Sequence, residues 1–278
     1  MNRRNAMIRA EAENAPSRRR GGATRGRVGQ AYYTTAFYAA VAVFGVSCLL
    51  WSLPASLLHR VLPRRVGEPV GQWGISAGFR WALWVMRTLG VVRADLSALD
   101  AVRNERSLVV ASNHPTMMDA VLLVSRLPRV VCITKASLWD SPFLGGGVRL
   151  AGYVRNDAPL PMIRRAAEAV REGRQLMVFP EGSRTARPPV DRFTRGFAVM
   201  ARAAGAPVQT VLIEADSPYL GKGWPLLRRP PDLPLEFRVR LGERFAMGRD
   251  PEAFVSGMEA YFRRELRAGD AEEGSAAA

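Results

Sequence analysis

One long uncharged segment restricts what this chain can fold into. From Ala36 to Leu58 no residue is charged, and as a helix this segment would be roughly 34 Å long, enough to cross the hydrocarbon core of a bilayer. Arginines flank it on both sides, so the positive-inside rule assigns no orientation. We therefore predict a membrane-associated helix that crosses the bilayer or dips into one leaflet. A buried core helix is the alternative.

A second apolar segment runs from Trp73 to Val92 and is interrupted by Arg80 and Arg87. On a helix these two arginines fall on nearly the same face, with apolar side chains around the rest. That pattern is typical of a helix at a membrane interface, although a surface helix packed on a domain shows the same pattern. We assign residues 31–94 to one membrane-associated helical region.

Composition places weaker limits on the rest of the chain. The formal net charge of +15 favours anionic partners such as lipid head groups, phosphorylated substrates or nucleic acid. Residues 1–30 are polar, basic and glycine-rich, so we predict a disordered tail there, and a second one at 268–278. Cys48 and Cys132 lie in apolar runs without the spacing of metal ligands, which favours a reducing compartment.

Residues 95–267 alternate between short apolar runs and helical patterns, which predicts one further domain. The candidate strands are Leu108–Ala111, Val130–Thr134, Gln175–Phe179, Val208–Ile213 and Phe237–Leu241. The candidate helices are Met117–Leu127, Pro161–Glu172, Phe193–Ala204 and Pro251–Leu266. This alternation predicts an α/β fold in which a mixed, largely parallel sheet is flanked by helices, preceded by the membrane-associated helical segment.

A histidine and an acid follow the first candidate strand, in the run Asn-His-Pro-Thr-Met-Met-Asp at residues 113–119. Proline suits the first position of a helix, which places His114 just outside it. From non-helical backbone the ring can fold back toward Asp119, which would hold one ring nitrogen while the other faces a substrate. A pair that merely caps the helix is the alternative.

A second polar loop follows the candidate strand at 175–179 and contains Glu181, Gly182, Ser183 and Arg184. The acid can accept a hydrogen bond from a substrate hydroxyl or an arginine, the glycine allows close backbone approach, and the last two supply donors for an anion. Ligand sites in open α/β sheets gather outside the carboxyl ends of strands, so we expect the two loops to share one cleft. A plain proline–glycine turn is the alternative.

Together and in this order, the two loops resemble the glycerolipid acyltransferase family, which includes the lysophospholipid and 1-acylglycerol-3-phosphate acyltransferases. The similarity covers roughly residues 95–245, and it implies that residues 95–267 form the catalytic domain. It also implies that His114 is the general base for the acceptor hydroxyl and that Asp119 orients it. The substrate-binding residues that it implies are Asn113, Lys135, Arg155, Glu181, Gly182, Ser183 and Arg184.

Two of these residues lie outside the paired loops. The phosphate-binding arginine of the family most resembles Arg155, although many members carry it two or three residues later, close to Asp157 here. Lys135 follows a strand where the family often has a lysine near the site. It would meet a phosphate or the acyl carrier, or it is a solvated loop charge. The alternatives to Arg155 are Arg149, Arg164 and Arg165.

The resemblance implies a membrane-associated O-acyltransferase on the cytoplasmic face of the inner membrane, single-pass or monotopic. It would move a fatty acyl group from acyl-CoA or acyl carrier protein to a lysophospholipid hydroxyl, with 1-acylglycerol-3-phosphate as the leading acceptor and phosphatidic acid as the product. Backbone N–H groups at the helix start or a nearby arginine would meet the tetrahedral oxyanion. We expect no metal or organic cofactor, because the thioester is already activated.

Several other functions fit parts of the sequence. Specialised relatives of the same family acylate ornithine lipids or serve aryl-polyene-type pigment lipids. From other classes, the sequence pI of about 11.1 suggests a nucleic-acid-binding protein, and a non-catalytic lipid-binding scaffold would also suit the apolar segments. We expect membrane lipids and the acyl carrier as partners and no nucleic acid, because nucleic-acid binding leaves residues 36–58 unexplained.

Overall fold

The computed structural model describes residues 26–248 and 250–276. It begins with a helical hairpin of α1 (Arg27–Val61) and α2 (Arg64–Thr88). The helices are separated by Leu62 and Pro63, both in extended backbone, because a residue that precedes proline is disfavoured in the helical region. The predicted tail at 1–30 lies mostly outside the described residues, and its last residues, from Arg27, are helical instead.

The two sides of α1 have different environments. Phe37, Ala40 and Ala55 are buried against the rest of the protein. The opposite side exposes large apolar side chains whose spacing places them on one helical face. These exposed residues are Val46, Leu49, Leu50, Leu53, Leu57 and Val61. Among helices of the described residues, α1 alone is long and apolar enough to cross a membrane.

Glycines let α2 approach its neighbours very closely. A Cβ on Gly71 would lie 2.3 Å from the main-chain nitrogen of Ala151, and one on Gly74 would overlap the Trp51 ring. The Gln72 amide donates to the Ala151 carbonyl at 3.0 Å, so polar bonding reinforces this contact. The hairpin is therefore packed tightly on the rest of the fold.

Gly71→Ala is expected to destabilise the protein by about 1–3 kcal/mol, because the added methyl group must push α2 away from the Ala151 backbone. Gly78 provides a matched control on the same helix, since a Cβ there would meet nothing within 4 Å. Gly78→Ala should be neutral or stabilise by up to about 1 kcal/mol through helix propensity. Thermal unfolding of the detergent-solubilised proteins measures both effects, and equal melting points would contradict the close contact.

A seven-stranded sheet in the order β1-β7-β6-β2-β5-β3-β4 forms the centre of the domain. The strands are β1 (Val92–Asp95), β2 (Leu108–Ser112), β3 (Val130–Lys135), β4 (Val154–Asn156), β5 (Gln175–Val178), β6 (Val208–Ala215) and β7 (Leu235–Phe245). Only the β6–β7 pair is antiparallel, so the predicted mixed, largely parallel sheet is confirmed. β2 is buried at every position because it lies in the middle of the sheet.

The helices cover both faces of this sheet. They are the 3-10 helix η1 (Ser97–Ala101), α3 (Met118–Arg126), α4 (Ala136–Trp139), α5 (Gly145–Leu150), α6 (Pro159–Arg171), α7 (Gly196–Ala204) and α8 (Pro251–Ala276). The chain advances from β2 through β3 to β4 and returns through β5 to β6. Right-handed crossovers in opposite directions lie on opposite faces, so α3 covers one face and α6 and α7 the other. The hairpin packs on α3 and α5, and α8 packs on α7.

Two strands and several boundaries differ from those predicted. β1 and β4 are short edge strands that contain charged residues, and neither was predicted. Because β1 begins at Val92, the sheet includes residues that precede the predicted domain boundary at residue 95. α8 continues to Ala276 where a disordered tail from residue 268 was predicted, since the alanines and glutamates of this segment favour a helix.

Candidate active site

The two polar loops lie side by side at one edge of the sheet. β2 and β5 are parallel neighbours, with Ala111 paired to Val178, so the loops that follow them leave at the same edge. The loop after β2 leads to α3 on one face, whereas the loop after β5 leads to α7 on the other. Connections that separate in this way leave a crevice between them, which is where ligand sites of open sheets form. The two loops are thus adjacent, as predicted.

The histidine and the acid are hydrogen-bonded. His114 Nδ1 lies 2.8 Å from Asp119 Oδ2, and the acid side chain is fully buried whereas the imidazole remains 15% exposed. Thr116, which the sequence analysis did not select, donates its main-chain N–H to Oδ2 at 2.8 Å and its hydroxyl to Oδ1 at 2.7 Å. Asp119 therefore holds both Thr116, just before α3, and the histidine ring.

The charge of Asp119 determines which ring nitrogen of His114 is free to act as a base. Burial raises the pKa of Asp119, while the hydrogen bonds from His114 and Thr116 oppose that rise. An ionised carboxylate can only accept, so with Asp119 ionised Nδ1 carries the proton and Nε2 has a free lone pair. The ring of Phe179 stacks on the imidazole with centroids 3.8 Å apart and 11° between the planes, which fixes the direction of Nε2.

Glu181 connects the two loops. Its Oε1 accepts the main-chain N–H of His114 and the hydroxyl of Thr185, both at 2.9 Å, and its Oε2 accepts the N–H of Asp191 at 2.8 Å. The Thr185 N–H in turn donates to the His114 carbonyl at 2.8 Å. Both oxygens of this buried carboxylate already have protein partners, so Glu181 positions the histidine, and a bond from it to a substrate hydroxyl stays a prediction.

Glu181→Gln is expected to change how stability depends on pH. Burial raises the pKa of Glu181 in the folded protein, against hydrogen bonds that lower it. The folded state then binds this proton more tightly than the unfolded state does. The resulting stability is therefore lost as pH rises from about 4.3 through the folded pKa. Glutamine does not titrate, so the unfolding free energy of the parent should fall relative to the variant across that window. Urea unfolding of both proteins between pH 4 and pH 8 tests this. An unfolding free energy of the parent that rises relative to that of the variant as pH increases would contradict it.

The other three residues of the second loop have different roles: two support the backbone and one lies exposed at the mouth of the site. Gly182 has φ +70°, a conformation that other residues rarely adopt. The Arg184 guanidinium donates from Nη1 to the carbonyls of Leu220 at 2.8 Å and Gly221 at 2.9 Å, and so binds a third loop that the sequence did not indicate. Ser183 is exposed at the mouth of the site.

Asn113 has a different role from the predicted one. Its side chain is buried, donates to the Ile213 carbonyl at 2.8 Å and accepts the Ile213 N–H at the same distance. Both ends of the amide are therefore bonded to β6, and the residue anchors the end of β2 rather than facing a substrate.

Comparison with known proteins agrees with this geometry. A family model described as Acyltransferase matches residues 80–214, a range that contains both loops. Over these residues the chain matches the acyltransferase family. The resemblance inferred from the two loops is thereby confirmed.

Several acyltransferases are similar to this chain in sequence or in fold. A 1-acyl-sn-glycerol-3-phosphate acyltransferase of Pseudomonas aeruginosa is 23% identical over 201 residues, which are 70% of this chain and 76% of that protein. The human 1-acyl-sn-glycerol-3-phosphate acyltransferase beta is 28% identical over 193 residues, 66% of each chain. The crystal structure of PlsC, the LPA acyltransferase of Thermotoga maritima, has the same fold, with a TM-score of 0.62 and 18% identity over 88% of this chain and 98% of that one.

Lys135 is the last residue of β3, and Arg155 is the middle residue of the edge strand β4. Lys135 is exposed. The Arg155 guanidinium is held 2.8 Å from Asp140 and 2.8 Å from Asp157, so the basic residue that would bind phosphate in this protein is already paired with two acids. Within the described residues, no three His, Cys, Asp or Glu side chains are grouped so that they could hold a metal ion.

Proposed function

We propose that this protein moves a fatty acyl group from an acyl thioester to the hydroxyl of 1-acylglycerol-3-phosphate, which gives phosphatidic acid. The observation that carries the proposal is the buried Asp119 bonded to His114 Nδ1, which leaves Nε2 of the partly exposed ring to act as the base. The names of relatives in Pseudomonas and in human support the acceptor. Acyl-CoA and acyl carrier protein both present the required thioester.

The reaction needs one base and no enzyme nucleophile. His114 Nε2 takes the proton of the acceptor hydroxyl as that oxygen attacks the thioester carbonyl carbon. The tetrahedral intermediate then breaks its carbon–sulfur bond, and the leaving thiolate takes the proton back from the imidazolium. The products are the ester and the free thiol. Asp119 keeps the ring in place and stabilises its positive charge between the two steps.

The oxyanion is better met by Arg184 than by the helix start. The N–H groups of Thr116, Met117 and Met118 already donate, respectively, to Asp119 Oδ2, the Leu220 carbonyl and the Thr116 hydroxyl. These three N–H groups are therefore not available to an oxyanion, which counts against the helix start. Arg184 uses Nη1 for the third loop, which leaves its other N–H groups for developing negative charge.

A second candidate acceptor follows from the surroundings of Arg155. Two acids neutralise its charge, which opposes the binding of a phosphate there. This favours a lysolipid without a phosphate at that position, such as the precursor of an ornithine lipid. The transfer chemistry at His114 would be the same.

An acceptor panel distinguishes the two candidates. Purified protein would be offered lysophosphatidate, lysophosphatidylcholine and a lyso-ornithine lipid, each with acyl-CoA and with acyl carrier protein. The leading proposal predicts the highest kcat/KM with lysophosphatidate. Activity only on the unphosphorylated acceptor would reject it and support the second candidate.

The hairpin supports a location in one leaflet of a membrane. α1 is packed on the protein near both ends, at Phe37 and at Ser52 and Ser56, which lie against Gly146. A helix covered on one side by the catalytic domain would have to carry that domain into the bilayer in order to cross it. We therefore assign α1 a position along the membrane surface, with its exposed apolar face in the lipid.

Cysteine labelling tests this placement. Arg27, at the start of α1, and Arg65, just beyond its other end, are exposed polar residues outside its apolar face, so each would be changed to cysteine in a Cys48→Ser background. A membrane-impermeant reagent should label both positions from the same side of sealed vesicles. Labelling from opposite sides would show that α1 crosses the membrane.

A further inference from the structure

The connection between β6 and β7, residues 216–234, carries apolar and basic side chains that acyl transfer does not use. We call it the β6–β7 loop. Leu226 is 56% exposed and Leu227 is 64% exposed. Exposed Lys222 and Arg228 flank them. An apolar tip between cationic residues is the composition of a segment that contacts an anionic lipid surface.

The exposed leucines are held outward by bonds within the loop. The Trp224 indole N–H donates to the Arg228 carbonyl at 2.9 Å, and the Arg228 guanidinium carbon lies 5.4 Å from the Trp224 ring centroid. Trp224 also makes an edge contact with buried Tyr219, with centroids 6.1 Å apart. Leu226 and Leu227 therefore project from a bonded turn.

The loop also packs against the start of α1. Tyr219 contacts Phe37 with ring centroids 5.5 Å apart, and the Tyr38 hydroxyl donates to the Leu227 carbonyl at 3.3 Å. Tyr38 is itself half exposed, beside the apolar face that we assign to the membrane. The tip of the loop thus continues the apolar surface of α1.

The other end of the loop reaches the catalytic residues. The carbonyl of Leu220 accepts from Arg184 at 2.8 Å and from the Met117 N–H at 3.1 Å, and the Gly221 carbonyl accepts from Arg184 at 2.9 Å. Leu220 has φ +57°, which is unfavourable for a residue with a side chain, so these bonds hold a strained backbone in place. One short segment thereby links an exposed apolar tip to the start of α3 and to Arg184.

We propose that the β6–β7 loop is a second lipid-contact surface that couples membrane binding to catalysis. Leu226 and Leu227 enter the acyl-chain region of an anionic bilayer, and Lys222 and Arg228 bind its head groups. This contact stabilises the backbone at Leu220 and Gly221 and so keeps Arg184 in position. The enzyme is therefore more active on an acceptor in an anionic bilayer than on one dispersed in water. This inference rests on the proposed acyl transfer.

Activity with two forms of the acceptor tests the coupling. The variant is Leu226→Ser with Leu227→Ser, and the control is Val199→Ser, an exposed apolar residue on α7, across the sheet from α3. The acceptor is supplied either in phosphatidylcholine vesicles with and without phosphatidylglycerol, or as a short-chain analogue below its micelle concentration. We expect kcat/KM of the double variant to fall about tenfold on anionic vesicles and to stay unchanged on the dispersed acceptor. The control should match the parent on both.

Other results would overturn the proposal. If kcat/KM of the double variant fell equally on vesicles and on the dispersed acceptor, the loop would be a structural element only. If its activity on vesicles were unchanged, the proposed lipid contact would be rejected. Equal activity of the parent on vesicles with and without phosphatidylglycerol would reject the part assigned to Lys222 and Arg228.

A binding measurement separates this inference from the proposed function. Leu226→Cys in a Cys48→Ser background would carry an environment-sensitive fluorophore. Anionic vesicles should shift its emission to the blue, and brominated acyl chains should quench it, even if no tested acceptor is acylated. Absence of both signals would reject the lipid contact whatever the activity.

Discussion

His114→Ala is expected to lower kcat/KM for acyl transfer by about 10²–10⁴-fold, because the acceptor hydroxyl loses its general base. His59→Ala is the matched control, since His59 is the other histidine of the chain and lies exposed at the end of α1. It should transfer acyl groups at the parent rate. The measurement is initial rate against acceptor concentration, with melting temperatures recorded for both variants. If His114→Ala transferred as fast as the parent, the assigned base would be wrong.

Substitutions at Asp119 are expected to have graded effects. Asp119→Ala should reduce kcat/KM by about 10²–10⁴-fold, because the ring loses its support and its charge partner. It also leaves both Thr116 donors unpaired in a buried place, which should cost about 1–3 kcal/mol of stability for each.

Asp119→Asn should be less damaging than Asp119→Ala. Its amide oxygen can take the place of Oδ2 and accept both the Thr116 N–H and His114 Nδ1–H, while its NH2 group donates to the Thr116 hydroxyl. The proton then stays on Nδ1 and only the negative charge is lost. Steady-state kinetics and unfolding of the two variants side by side test this order. An asparagine variant as inactive as the alanine variant would show that charge, rather than ring orientation, dominates.

Local patterns in the sequence predicted the central parts of the fold. β2, β3, β5 and β6 are largely apolar because both faces of the sheet are covered, so their positions were evident. The edge strands β1 and β4 are short and contain Arg93 and Arg155, so they lack that pattern. The strand order depends on packing between distant segments, which a single sequence does not encode in any local pattern.

The candidate site, like the fold, was predicted from the sequence only in part. The loop positions and the pairing of His114 with Asp119 followed from residue types and spacing. The roles of Glu181 and Arg184 did not, because the sequence cannot show that their side chains point at the His114 N–H and at the Leu220 carbonyl. Thr116 and Phe179 were missed because a threonine and a phenylalanine at these positions have many uses besides supporting a catalytic pair.

The main-chain bonds of His114 have a practical consequence for building hybrid enzymes. Its N–H is bound by Glu181 and its carbonyl by Thr185, so the geometry of the catalytic ring belongs to both loops equally. A chimera that takes residues 113–119 from a relative and keeps 181–185 from this chain would combine two halves that were not fitted to each other. Acceptor preference should therefore be transferable only when both loops are exchanged as one cassette.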